Sequence, residues 1–149
     1  MNNNKFNRIK FNHSDRDRIV DAVIKKLGLK NKFELNDRME GVMFLDKHIR
    51  RVFSSLIVEK EYDISLTSKE RPLRCSDEFI HNDLKHKIVF PNSNGLININ
   101  GNDFEILIVV VIDDSYKSGF IKKIFTRDLI IHKLNDRRGK ITTLSIDNL

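Results

Sequence analysis

The stretch GLININGNDFEILIVVVID, residues 95–113, reads as two strands joined by a tight turn. Leu96 to Asn100 forms the first strand. Asn100 and Gly101 tolerate the positive φ that a short hairpin needs. Phe104 to Asp113 forms the second strand, and its seven consecutive β-type residues, Ile106 to Ile112, predict a central strand buried on both faces. Just before this stretch, KIVFP at 87–91 gives another strand ended by Pro91, with a turn over Asn92 to Gly95. The expectation is an α+β fold in which N-terminal helices pack on an antiparallel β-meander.

The helices come from the first 60 residues. HSDRDRIVDAVIKKLGLK, 13–30, places Ile19, Val20, Val23, Ile24 and Leu27 at helical spacing, with Gly28 as its stop. Ser14 and Asp17 form a capping box. A second helix is predicted from Asn36 or Asp37 to about Glu59, with Met39, Val42, Leu45, Ile49, Val52, Phe53, Leu56 and Ile57 on its core face. Within it, DKHIRRVFSSLI at 46–57 sets cations into an apolar pattern. Turned by about 100° per residue, Phe44, His48, Arg51 and Ser55 share a boundary stripe, whereas Lys47, Arg50 and Ser54 point toward water.

Residues 1–12 are Asn-rich and basic and read as a flexible N-terminal arm, either a frayed terminus held by Phe6, Ile9 and Phe11 or an RNA-binding arm. Residues 13–149 read as a single domain. Tyr62, Ile64 and Leu66 alternate as a short edge strand, and the rest of 60–85 is a long loop carrying Arg71, Arg74 and His81, with His86 just beyond. From Phe120, the apolar positions 121, 124, 125 and 129 have helical spacing while LIIHKL at 129–134 is equally good strand; a helix is preferred. NDRRGK is a turn, and ITTLSI at 141–146 adds an edge strand.

The chain has 149 residues, with 27 Lys+Arg against 21 Asp+Glu, a formal charge of +6 and a pI near 9.5, a balance that favours a polyanionic partner. One cysteine, Cys75, excludes an internal disulfide framework and an all-cysteine zinc site and fits a reducing, cytoplasmic setting. The opening is polar and basic, and the longest apolar run, Ile106 to Ile112, is far below the ~20 residues of a membrane helix. No membrane association is expected. Ala22 is the only alanine amid abundant Ile, Asn, Lys and Phe, a bias that points to A+T-rich codons and hence to a phage or low-GC bacterial source.

Several chemistries lack their residues. There is no Gly-rich phosphate loop, no G-x-S-x-G elbow and no Cys or His pairs at zinc spacing. Asp103 and Glu105 begin the acidic pattern of a metal-dependent nuclease, but Leu107 stands where the lysine belongs. His81, Asp83 and His86 form the one local constellation of metal-ligand types, and in so polar a loop they read as ordinary surface residues. No metal or cofactor is expected. Metal-free RNA cleavage asks for less: a base for the ribose 2′-OH, an acid for the leaving oxygen, and cations around the phosphate. His48 and Arg51 are the catalytic candidates, with Lys47, Arg50, Arg127, His132, Arg137 and Arg138 as nucleic-acid contacts. For His48 the alternative is a packed, hydrogen-bonded boundary residue. With 10 Phe at largely core-like positions, 2 Tyr and no Trp, an exposed stacking platform is not evident, so binding would rest on phosphate contacts.

The order of elements, a helical half with a basic second helix followed by the 95–113 hairpin, resembles the RelE/ParE-like superfamily of small mRNA-cleaving toxins, and within it the phage RegB-type endoribonucleases. The resemblance covers about residues 86–132, and the strand, Asn-Gly-Asn turn and strand are its closest part. It implies a metal-independent endoribonuclease acting on mRNA with His and Arg, helped by the ribosome or a ribosomal protein. Those enzymes place His and Arg at i, i+4 on the helical part; here His48 and Arg51 stand at i, i+3. The superfamily also has partner-binding members without cleavage, and a non-catalytic module that binds a host protein or nucleic acid, or a virion assembly component, is the competing expectation.

Overall fold

The computed structural model describes residues 6–26, 39–67, 70, 75–92, 94–101, 103–113, 116–134 and 141–148. Leu27, Gly28, Asn36, Asp37, Arg71, Arg74, Asn102, Arg137 and Arg138 lie outside them, as do the side chains of Val23, Ile24, Met39, Val42, Phe44 and Leu45. The elements in chain order are β1 (Ile9–Lys10), α1 (His13–Lys26), α2 (Met39–Tyr62), β2 (Glu78–His81), β3 (Leu84–Val89), β4 (Leu96–Asn100), β5 (Ile106–Ile112), β6 (Ser118–Thr126), α3 (Arg127–Ile130) and β7 (Ile141–Ser145). Short 3₁₀ turns follow α3 at Ile131–Lys133 and β7 at Ile146–Asn148.

The architecture is α+β, built on a mixed sheet. Five strands run in the order β1-β6-β5-β3-β2, with β3 and β5 parallel and the other pairs antiparallel. The expected meander is therefore corrected: β4 leaves the sheet and pairs antiparallel with β7 in a separate two-stranded ribbon. Gly101 takes φ +72°, as expected of its turn, but the chain there crosses between layers and does not close a hairpin. The reason lies in burial. β5 is apolar on both faces: Ile108, Val110 and Ile112 pack against α1 and α2, while Leu107 and Val109 need a second cover. Ile97 and Ile99 of β4 supply it from the ribbon, together with Phe104, Phe125 and Ile130. The central, doubly buried position expected for β5 is what the structure shows.

Residues 118–126 form β6, not a helix. A β-bulge between Val109 and Val110 leaves Lys122 as the extra residue of β6: Ile121 pairs with Val110, and Lys123 with Val109. The bulge puts Ile121 and Ile124, three apart, on the same helix-facing side, the spacing that imitated a helix in the sequence.

At the start of α1 the cap is Asn12, whose Oδ1 accepts the Asp15 N–H at 2.7 Å, two residues before the expected Ser14 box. Asp15 also pairs with Arg18 at 3.2 Å and reaches Lys60 of α2 at 3.9 Å, so α1 and α2 run antiparallel. Of the expected arm, residues 6–12 are described: β1 pairs with β6, Phe11 is buried, and Arg8 pairs with Asp113, which also accepts from the Ser118 hydroxyl. Residues 64–66 are not a strand; Glu59 accepts the Leu66 and Thr67 N–H groups at 2.7 and 2.9 Å, and Thr67 bridges to Cys75, folding this segment back along α2.

Candidate nucleic-acid interface

His48 and Arg51 sit one turn apart in the first half of the described face of α2, both partly exposed. The imidazole is drawn below its usual 6.5, first by partial burial and then by the positive charges of Lys26, Arg51 and Lys47. Lys26 belongs to the last turn of α1, brought beside α2 by the antiparallel packing of the two helices. The sequence reading missed it; its signal was the basic last turn of the first helix, a position that also favours cations against the helix dipole. Lys26 and Lys47 are exposed. Arg51 donates one guanidinium N–H to the Cys75 carbonyl at 3.2 Å, which fixes the group and leaves further donors on its fork.

The arrangement can do two things. Three cations near a partly exposed imidazole make a positive patch of the kind that attracts an anion. An imidazole whose pKa is lowered is neutral near pH 7 and able to take a proton.

Arg50 is a correction. It is 5 % exposed, donates to the Ile112 carbonyl at 2.8 Å, and lies 5.7 Å from the Tyr116 ring centre. Ser54, expected to face water, is buried too. The reason is that α2 is covered on more than one side, by α1, by the sheet and by Leu66, Thr67, Cys75 and Ser76, so a single apolar stripe does not describe it. Arg50 therefore holds the end of β5 rather than presenting a cation.

Arg127 and His132 do not join His48, and Arg137 and Arg138 lie outside the described residues. Arg50 marks the Ile112 end of β5, whereas the Arg127 N–H bonds Glu105 beside the Ile106 end, about 20 Å along the strand. Arg127 and His132 are exposed, and α3 packs with the ribbon-side cluster through Ile130.

A second group of chemistry-bearing side chains lies at the far end of α2. Tyr62, Phe79, His81 and His86 pack ring against ring, with His86 stacked on Phe79 at 4.8 Å. His86 is buried, contrary to its reading as a surface residue, while Asp83 is exposed in the β2–β3 turn. Among the described residues no group of three or more His, Cys, Asp or Glu side chains is placed to share a metal ion, and no helix is long and apolar enough to cross a membrane.

No family model, no curated protein and no solved structure matches this chain.

Proposed function

We propose that this chain binds RNA through the cationic group of Lys26, Lys47, His48 and Arg51, and cleaves it there without a metal ion. The observation that supports the reading is the single cluster itself: a partly exposed imidazole, lowered in pKa, with three cations from two helices beside it. In the reaction His48 takes the proton of the ribose 2′-OH as the new O2′–P bond forms. Arg51 and the two lysines hold the phosphoryl oxygens while charge accumulates, and the P–O5′ bond breaks with a proton from water. The product is a 2′,3′-cyclic phosphate. This chemistry is that of the RelE/ParE-like resemblance, with mRNA as substrate and the ribosome as helper, in a phage or low-GC bacterial setting. Binding is tested by titrating a fluorescent RNA at several salt concentrations: Lys47→Ala should weaken binding evenly across sequences and lower the salt slope by about 1.

A second reading is a non-catalytic module that binds a host protein or assembles with other subunits. It is favoured by the β2–β3 hairpin, where Ile80 is 76 % exposed on an edge strand and Leu84 is also exposed. Capture of a defined host protein, lost in Ile80→Lys while RNA binding persists, would support it.

A further inference from the structure

We propose that the β2–β3 hairpin is a binding site for a first-row divalent transition-metal ion of the zinc, nickel or copper class, held between the imidazoles of His81 and His86. The site is separate from the RNA cluster and does not rest on it: Tyr62, which walls it, stands fourteen residues along α2 from His48, about 21 Å.

The hairpin register pairs Phe79 with His86 and His81 with Leu84, so the two histidines are diagonal neighbours on one face. The two turn residues between the strands, Asn82 and Asp83, both take positive φ, at 52° and 63°, which gives the tight turn that holds this register. His86 is 5 % exposed and fixed by its stack on Phe79, with the planes 18° apart. Its Nδ1 lies 2.9 Å from the Leu84 carbonyl. A carbonyl only accepts, so Nδ1 carries the hydrogen and the neutral ring keeps its lone pair on Nε2. That is the state of a metal-ligating histidine, whose other nitrogen donates to a carbonyl or carboxylate.

The spacing also fits. With metal–nitrogen bonds of about 2.0–2.1 Å, two imidazoles on one ion have ring centres about 5–6 Å apart. The His81 and His86 ring centres are 5.8 Å apart, with planes at 79°. Tyr62 closes one side, edge-on to both rings at 5.2 and 5.6 Å. Two nitrogen ligands leave the remaining positions to water, and they select ions that prefer imidazole over magnesium or calcium, which prefer oxygen.

The test uses the full chain carrying no polyhistidine tag. Zn²⁺ is titrated by calorimetry, and the histidine ring protons are followed by NMR. The expected result is one ion per chain, shifts confined to His81 and His86, and no shift with Mg²⁺. His81→Ala, at a partly exposed position, should weaken binding at least tenfold, and His86→Gln should do the same. His132→Ala, on the exposed turn after α3, should leave it unchanged. Absence of Zn²⁺ binding up to millimolar concentration, or undiminished binding in a folded His81→Ala, overturns the proposal.

Discussion

Arg50→Met separates a structural arginine from an RNA contact. Methionine keeps the apolar stem and removes the guanidinium, so the volume left empty is small. The loss includes a charge-assisted hydrogen bond to the Ile112 carbonyl at 2.8 Å and the contact with Tyr116 at 5.7 Å. A hydrogen bond to a charged donor contributes about 1.5–3 kcal/mol and a cation–π contact about 0.5–1 kcal/mol. The variant should therefore lose at least about 2–4 kcal/mol, and for a chain of this size that lowers Tm by at least roughly 5–15 °C. Urea unfolding followed by circular dichroism measures the loss, and the midpoint should fall with the slope unchanged. RNA affinity, measured well below Tm, should change less than twofold because the group is out of reach of solvent. A variant as stable as the native chain but weakened for RNA would refute the reasoning and return Arg50 to the surface role that the helical wheel gave it.

Other outcomes follow from the same packing. Phe53, fully buried with its ring 4.2 Å from that of Phe11, should cost about 3–5 kcal/mol as Phe53→Ala, read as a lowered urea midpoint by circular dichroism. A Cβ at Gly119 would stand 2.6 Å from Ile112 Cδ1 and 2.8 Å from the Val111 carbonyl oxygen, so Gly119→Ala should destabilise by about 1–3 kcal/mol in the same assay. The Asp113 carboxyl is held below its usual range by the Ser118 hydroxyl and by Arg8. Its contribution is therefore present above the unfolded value near 3.9 and lost as pH falls through the folded value. Asp113→Asn should flatten that acid limb and raise amide exchange in β1. Because the His48 pKa is lowered, the acid limb of the cleavage rate should lie below pH 6.5.

How much of this was legible in the sequence depends on whether a residue's environment is local. The seven β-type residues of β5 announced a doubly buried strand because burial on both faces erases alternation, and α1 and α2 were legible from spacing. The partner of β4 was not: its apolar side chains are satisfied equally by β5 or by β7, 45 residues away, and only the need to cover Leu107 and Val109 decides. β6 was misread because its bulge resets the alternation. At the candidate site, His48 and Arg51 were legible as a boundary pair, while Arg50 was not, since a helix covered on several sides buries residues off its apolar stripe. Lys26 and the packing of His86 under Tyr62 depend on contacts between distant segments that no local pattern carries.

The most direct test of the account is single-turnover incubation of a labelled mRNA leader with the pure chain in EDTA, native against His48→Ala. Cleavage by the native chain that leaves 2′,3′-cyclic phosphate ends, and falls at least a hundredfold in a folded His48→Ala, is the expected result. Intact RNA with the native chain, or equal cleavage by both, would contradict it.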